Sequence, residues 1–172
     1  MNNTNWTIDN AHSEIAFKVK HMMISTVTGY FEDFEANAKT DGDNFNNAEI
    51  AFIAKTSSIN TKNNDRDTHL KSDDFFNSEK FPEMKFVSKS FTGEQLIGDL
   101  TIRDVTKQIT LDAELNGIAV DPYGQTKAGF EIKGEINRKD FNLTWSAVTE
   151  AGSIVVSDKV KLVIDVQFIK QA

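Results

Sequence analysis

Several residue types are scarce in this sequence, and each scarcity removes a class of structure or chemistry. Cysteine is absent, which excludes disulfides, thiolate metal sites and cysteine nucleophiles. Pro82 and Pro122 are the only prolines, so few predicted strands are forced to the edge of a sheet. No apolar run approaches the length of a membrane-spanning helix. A membrane-spanning or disulfide-stapled chain is therefore not expected.

Basic residues are in the minority, with 19 Lys and Arg against 26 Asp and Glu and a formal net charge of -7. A nucleic-acid partner would require a basic face, because cations must replace the counterions of the phosphates. No run of Lys and Arg supplies such a face, so we predict no nucleic-acid partner. The same acidity argues against docking on anionic membranes, and we predict no stable membrane insertion.

The start of the chain bears on its location. The segment from Met1 to Ile8 has neither the basic region nor the apolar region of a secretory signal. We therefore expect a cytoplasmic protein, or a periplasmic one if a leader has been removed. No internal repeat or low-complexity linker divides the chain. The simplest expectation is one domain over residues 1–172.

Alternation of apolar and polar residues at every second position is the dominant pattern of the sequence. It is clear in residues 15–19, 109–115, 130–136 and 160–168. Near residues 32–33 the phase slips, which indicates a β-bulge. The pattern predicts about eight or nine strands, each with one apolar face. A sheet of this size must curl to bury that face, and closing into an antiparallel barrel also removes its edges.

Turn and helix signals fit this all-β architecture. The segments 41–43 and 121–124 combine Asp, Pro and Gly residues that favour hairpin turns. Residues 63–71 predict a short helix, with Asn63 or Asn64 as its cap, acidic residues in its first turn and Lys71 in its last. We expect this helix to lie across one mouth of the barrel.

The side chains predicted to face the barrel interior form the main candidate site. Small residues between large ones would leave an apolar tunnel, but they would equally help to fill a tapering barrel. Periodicity does not separate these alternatives. The candidate ligand-binding residues of the lumen are Phe17, Val19, Phe31, Phe34, Phe52, Met84, Phe86, Leu100, Leu111, Phe130, Ile132, Leu162 and Ile164.

A second candidate group is a polar mouth formed by His21, Arg66 and His69. The parity of His21 places it in the lumen or at its rim, where an imidazole N–H could donate to a ligand head group or to a backbone carbonyl. Arg66 and His69 could grip a phosphate or carbonyl head group. Polar residues near a helix start are routine caps, which favours a cap with an internal ion pair instead.

No pattern typical of catalysis or metal binding is found. The three histidines are not spaced as metal ligands. Ser13 follows His12 directly, and neighbouring side chains on a strand point to opposite faces. No nucleophile elbow, phosphate-binding loop or dinucleotide motif occurs. We predict a protein that is not an enzyme, with no catalytic residue, no metal and no cofactor.

The residues that match a known family run in order along nearly the whole chain. They are Trp6-x-Ile8-Asp9-x-x-His12-Ser13-x-Ile15-x-Phe17-x-Val19-x-His21, Val27-x-Gly29-x-Phe31-x-x-Phe34, Ser58-Ile59-x-Thr61-x4-Arg66-Asp67-x-His69-Leu70-x-Ser72-x-Asp74-Phe75-Phe76, Phe81-Pro82-x-Met84-x-Phe86, Gly98-x-Leu100-Thr101-Ile102 and Ile136-Asn137-Arg138-x-Asp140-Phe141. The chain resembles the YceI-like, polyisoprenoid-binding family. It departs from the family pattern at Asn142, where Gly is usual, and this change should affect only a turn.

The resemblance implies a lipocalin-like antiparallel barrel with a helix near one end and a lumen for the tail of a long amphiphile. The leading prediction is binding, carriage or sequestration of a polyisoprenoid or isoprenoid quinone. A closed barrel with a structural or stress-response role is the first alternative. An enzyme acting on a lipid head group, through His21 with Arg66 or His69, is the second. A homodimer through exposed strands is left open.

Overall fold

A computed structural model describes residues 3–147 and 155–172 of the chain, which form eleven strands and one α-helix. The helix α1 spans Asn64–Lys71, and short 3-10 turns span Asn10–His12, Thr56–Ser58 and Arg138–Phe141. The strands are β1 (Asn3–Ile8), β2 (Glu14–His21), β3 (Ser25–Phe31), β4 (Phe34–Asp41), β5 (Asn44–Lys55), β6 (Ile59–Asn60), β7 (Glu83–Phe91), β8 (Gln95–Ile102), β9 (Val105–Val120), β10 (Thr126–Asn137) and β11 (Val156–Lys170).

Strand pairing closes the sheet on itself. The order β1-β4-β5-β7-β8-β9-β10-β11 returns to β1, and all pairs are antiparallel, so eight strands form a closed ring. The first part of β11 pairs with β2, which pairs with β3, and β3 pairs with the short β6. The expected all-β antiparallel barrel with a short helix is confirmed. Closure leaves the ring without an open edge.

The phase slip near residues 32–33 is real, but it is a strand break and not a bulge. β3 ends at Phe31 and β4 begins at Phe34. The break arises because the chain changes partners there: β3 pairs with β2 and β6, whereas β4 pairs with β1 and β5. The Asn10 side chain donates to the Phe34 carbonyl at 2.7 Å and fixes this crossing point.

One end of the barrel is filled by aromatic rings that we call the aromatic plug: Trp6, Phe45, Phe91, Phe130 and Phe168. Ring centroids of Trp6 and Phe45, and of Phe45 and Phe130, lie 4.9 Å apart. Trp6 is 1% exposed, and its indole N–H donates to Thr40 Oγ1 at 2.8 Å. The plug buries its one polar group with a partner, so this end of the barrel is stably closed.

The opposite end is covered by residues 63–76, which we call the helical cap. As predicted, a cap residue starts α1: the Asn63 side chain accepts a hydrogen bond from the backbone N–H of Arg66 at 3.0 Å. Beyond the helix, Arg103 Nη1 donates to the carbonyls of Asp73 and Phe75, both at 2.8 Å. These bonds tie the helical cap to the β8–β9 turn.

Candidate functional site

A cavity of about 190 Å³ lies inside the barrel between the aromatic plug and the helical cap. Leu70, Phe75 and Phe76 line it from the helical cap, and Phe91, Phe130 and Phe168 line it from the plug. All predicted lumen residues but one also line it: Phe17, Val19, Phe31, Phe52, Met84, Phe86, Leu100, Leu111, Phe130, Ile132, Leu162 and Ile164. Period-two alternation therefore identified the cavity wall, while contact of these side chains with a ligand stays a prediction.

Phe34 is the predicted lumen residue that does not line the cavity. Its side chain is buried, and its ring stacks on Phe52 with 6.4 Å between centroids. Phe52 itself lines the cavity. Phe34 is the first residue of β4, directly after the strand break. Its ring packs against Phe52 and not against the cavity. Its role is to support the wall.

Large side chains lie across glycines on the inner wall and thereby keep the lumen open. A Cβ added at Gly98 would overlap the ring of Phe86, and one added at Gly134 would overlap the side chain of Leu111. Each large residue therefore lies flat on the sheet instead of standing upright in the lumen. Glycine permits this close approach because it has no side chain.

The three residues predicted to form a polar mouth do not line the cavity. Arg66 donates from Nε to Thr61 Oγ1 at 2.8 Å and from Nη2 to the Thr61 carbonyl at 2.7 Å. His69 Nε2 lies 2.8 Å from Asp74 Oδ2. His21 is exposed at the end of β2. The arrangement matches the cap and ion-pair interpretation, because partners close in sequence, Thr61 for Arg66 and Asp74 for His69, already occupy these side chains.

The His69 ring also helps to hold the helical cap in place. Its edge-on contacts place its centroid 4.9 Å from Trp145 and 5.2 Å from Phe75. Phe75 lines the cavity and Trp145 packs against the core. His69 therefore connects α1 to Trp145, which belongs to the segment that follows β10.

Among the described residues, Arg138 is the only polar one that lines the cavity, and it was not one of the predicted site residues. It is 3% exposed. Nη1 donates to the carbonyls of Leu143 at 2.6 Å and Trp145 at 2.7 Å, Nε donates to Ser157 at 2.9 Å, and Nη2 to Val156 at 3.3 Å. Periodicity could not reveal this residue, because it follows the last residue of β10. Its presence in the motif quoted above was the available signal.

Burial sets the electrostatics of Arg138. Loss of hydration lowers the pKa of its guanidinium below its ordinary value, and the Asp158 carboxylate, 3.7 Å from Nη2, opposes this shift. An arginine stays charged in proteins, so its charge is balanced by carbonyl dipoles and Asp158. Because these carbonyls belong to residues 143–145 and 156–157, Arg138 connects the segment that follows β10 to the start of β11.

A charge cluster lies at the plug end, on the outside of the barrel. Lys127 Nζ is 2.7 Å from Asp9 Oδ2 and 3.5 Å from Asp121 Oδ2, and His12 Nδ1 is 2.9 Å from Asp9. The Lys127 hydrogen bond, followed by that of His12, holds the pKa of Asp9 below 3.8 against a partial cost of burial. The cluster ties the 3-10 turn Asn10–His12 to the β9–β10 hairpin.

The described parts of the chain lack the arrangements that metal binding and membrane-spanning helices require. No group of three or more His, Asp or Glu residues in residues 3–147 and 155–172 is arranged to hold a metal ion. Within the same residues, no helix has the length and apolarity needed to cross a membrane. The internal cavity is thus the feature that points to a function.

A closed antiparallel barrel that keeps an apolar cavity between an aromatic plug and a helical cap defines the class of small barrels that enclose hydrophobic space. The family model described as "YceI-like domain" matches residues 6–168, so the chain belongs to the YceI-like family. A UPF0312 protein of Staphylococcus aureus is 37% identical over 166 residues, which cover 96% of this chain and 97% of that protein.

Solved structures show the same barrel. A Campylobacter jejuni YCEI protein superimposes with a TM-score of 0.75 at 36% identity, covering 89% of this chain and 90% of that one. Burkholderia cenocepacia BcnA gives a TM-score of 0.79 at 19% identity, covering 93% and 98%. A polyisoprenoid binding domain from Saccharophagus degradans, implicated in plant cell wall breakdown, gives 0.69 at 16% identity, covering 96% and 98%. The last two show a common fold alone.

Proposed function

We propose that this protein binds the apolar chain of an amphiphilic lipid in its barrel and carries or sequesters it, with polyisoprenoids and isoprenoid quinones as the ligand class. The observation that carries this proposal is the apolar cavity of about 190 Å³. Membership of the YceI-like family supports it, and so does the likeness to the polyisoprenoid binding domain of Saccharophagus degradans.

The cavity volume favours binding over a purely structural barrel. A residual apolar cavity destabilises a protein by about 24 cal/mol per Å³, so 190 Å³ corresponds to about 4–5 kcal/mol. Folded domains have only about 5–15 kcal/mol of net stability. A scaffold without a ligand would gain by filling this space with larger side chains. Gly29, Ala36, Ala113 and Gly134 instead keep the wall thin.

The same volume limits how a long chain is accommodated. It exceeds the roughly 150 Å³ of an apolar cavity that admits benzene, and lies below the roughly 300–1,000 Å³ of typical drug-sized sites. A long prenyl chain therefore requires the cavity to widen when it binds. The cavity-lining residues of the helical cap, Leu70, Phe75 and Phe76, are the elements whose displacement would provide this space.

The protein should select ligands by their apolar tail and hardly by their head group. Arg138 is the polar side chain on the described lining, and backbone carbonyls already occupy its Nε and Nη1 donors. Burial of each methylene contributes about 0.8 kcal/mol, so affinity rises with chain length until the space is filled. Phe-rich walls contact any apolar chain without dictating its chemistry.

The alternative of an enzyme acting on a lipid head group receives no support from the placement of its candidate residues. His21, Arg66 and His69 do not line the cavity. Arg66 contacts Thr61, and His69 contacts Asp74. A general acid or base must reach the reacting group of its substrate. The binding proposal, in contrast, requires only the apolar side chains that line the cavity.

Extraction of the purified protein with organic solvent, followed by mass spectrometry, tests the proposal directly. Binding of added farnesol, geranylgeraniol and solanesol should then be measured for the wild type and for Ala113→Phe. Ala113 is buried on the lining, so a Phe ring there fills the lumen and should abolish binding. Ala51→Phe, on an exposed position of β5, is the matched control. No lipid in the extract and no binding of any of these alcohols would refute the proposal.

A further inference from the structure

The turn between β2 and β3 exposes large apolar side chains at the capped end of the barrel. Met23 is 63% exposed and Ile24 is 80% exposed. The turn is closed by the N–H of Ile24, which donates to the His21 carbonyl at 3.1 Å. Side chains at an exposed hairpin tip do not pack in the core, and Asn, Asp and Gly are the usual residues there.

The backbone of this turn makes the choice of residues still more unusual. Met22 has a φ of 53° and Met23 a φ of 60°. This left-handed conformation disfavours residues with a Cβ and is the reason for the preference for Asn-Gly in two-residue hairpin turns. Two methionines in succession therefore oppose local stability. Their presence indicates that the apolar tip serves contact with something outside the chain.

Lysines surround the base of the turn. Lys18 and Lys20 lie on β2, and Lys159 and Lys161 lie on the neighbouring β11, all four exposed. Lys18 and Lys161 are direct cross-strand partners, an arrangement of like charges that destabilises a sheet. Neither of these two forms an ion pair within residues 3–147 and 155–172. On its other side Lys161 has Glu135 of β10 as its cross-strand partner, whereas Lys18 has Thr28 of β3, so Lys18 is the lysine without an acidic cross-strand neighbour.

Among the described residues, the acidic groups nearest the turn have basic partners. Glu135 lies 3.6 Å from Lys159, and Asp158 lies 3.2 Å from Lys139. The next acidic pair, Glu14 and Asp165, lies further along the two strands and away from the turn. The net charge of -7 does not govern this region, because charges beyond a Debye length of about 8 Å are screened at physiological salt.

The turn adjoins the capped end of the cavity. Val19, two residues before the end of β2, lines the cavity, and so does Val156, which pairs with His21 at the base of the turn. The N–H of Met22 donates to the carbonyl of Val155 at 2.9 Å. A surface bound by this turn would face the end through which a lipid would enter or leave, opposite the aromatic plug.

We propose that Met22, Met23 and Ile24, with the surrounding lysines, form a contact site for a bilayer that contains anionic phospholipids. The apolar side chains enter the head-group region and the lysines pair with the anionic head groups, without insertion of a strand. A projecting tip of three residues is too small for a stable protein interface of about 1,200–2,000 Å², whereas it is large enough to enter the head-group region beside lysines that attract anionic lipids.

This inference rests on the proposed function in one respect: a carrier must reach the bilayer in order to take up a membrane lipid. The site itself is tested with sedimentation of the full chain with vesicles. Phosphatidylcholine vesicles should be compared with vesicles that also contain phosphatidylglycerol. The variant Met22→Asn with Met23→Gly and Ile24→Thr supplies the favoured turn residues, so it should fold at least as well as the wild type while binding vesicles about tenfold or more weakly.

Two further variants test the location of the site and the role of its lysines. Val120→Thr with Tyr123→Thr removes exposed apolar side chains from the β9–β10 hairpin at the plug end, where they are 67% and 90% exposed, and should leave vesicle binding unchanged. Lys18→Gln with Lys161→Gln should reduce the preference for phosphatidylglycerol about tenfold or more. Absence of wild-type binding, or equal loss in the plug-end variant, would overturn the proposal.

Lumen occupancy, measured with the prenyl alcohols in the absence of vesicles, should be the same for the wild type and the turn variant. This readout keeps the two proposals apart. A protein that binds prenyl alcohols but not vesicles lacks the contact site and keeps the proposed function. A protein that binds vesicles through the turn but takes up no lipid keeps the contact site and loses the proposed function.

Discussion

The ring of Phe17 lies directly over Gly29, its cross-strand partner, so closely that a Cβ at Gly29 would overlap the ring. The missing side chain lets the ring lie flat on the wall of the lumen. Replacement of Gly29 would therefore push the ring toward the cavity that it lines.

Gly29→Ala should lower both stability and ligand capacity. Overpacking of this kind costs about 1–3 kcal/mol, and the displaced Phe17 ring would occupy space needed by a lipid. Thermal unfolding and binding of geranylgeraniol are the measurements. Gly129→Ala is the matched control, because an added Cβ there meets no atom within 4 Å. Equal effects of the two substitutions would contradict this account of the wall.

Arg66→Ala should reduce stability without changing lipid selectivity. The substitution removes two hydrogen bonds to Thr61, for a loss of about 1–2 kcal/mol. Urea unfolding measures the loss, and competition between a prenyl alcohol and its phosphate ester measures selectivity. A selective loss of phosphate-ester binding with unchanged stability would restore the polar-mouth interpretation of His21, Arg66 and His69.

Arg138→Met should be far more damaging than Arg66→Ala. It leaves the carbonyls of Leu143, Trp145 and Ser157 without their donor, and each buried acceptor left without a partner costs about 1–3 kcal/mol. Arg138→Lys should rescue little, because an ammonium cannot reproduce the planar set of donors. Chemical denaturation compares the three proteins. Full rescue by lysine would show that charge, and not geometry, is what matters.

Lys127→Met should destabilise the protein most clearly near neutral pH. The pKa of Asp9 is depressed below 3.8 chiefly by the hydrogen bond from Lys127, so its stabilising contribution is complete above pH 3.8 and is lost as the pH falls through the folded-state pKa. The difference between wild type and variant should therefore shrink at acid pH. Equilibrium unfolding measured across this range checks the sign, with Lys107→Met, at an exposed position, as the control.

The contribution of Lys127 itself to stability depends on pH in the opposite direction and is lost at alkaline pH. Its pKa is raised above 10.5, first by its hydrogen bond to Asp9. That contribution is complete below pH 10.5 and disappears as the pH rises through the raised value. A difference between wild type and variant that grew at either extreme of pH would contradict the proposed ion pairs.

Sequence patterns were most informative where a side chain's direction depends on its strand alone. Alternation placed Phe17, Phe86 and Leu162 on the cavity wall, because residues two apart on a strand share a face. It also detected the interruption near residues 32–33. It did not identify the cause, because a bulge and a change of partner strand produce the same slip of phase.

Asn142 shows how a departure from the family pattern can be understood from structure. It has a φ of 62° and a ψ of 22°, the left-handed conformation for which Gly is the usual residue and Asn the usual substitute. As expected, the change concerns a turn and not the lumen. The polar side of the site was harder to predict, because the partners of Arg66 and Arg138 are set by loop geometry and not by periodicity.

The ring of strands is joined by the pairing of Trp6, Thr7 and Ile8 with residues 168–170 of β11. Ile8 and its partner Phe168 are 160 residues apart in the sequence, so a ribosome must synthesise all the strands between them before the seam can form. Until then, β1 and β11 each present an unsatisfied edge to neighbouring nascent chains. Pairing across so large a sequence separation is also intrinsically slow. Assembly late in synthesis is therefore the period in which this protein most needs protection from aggregation.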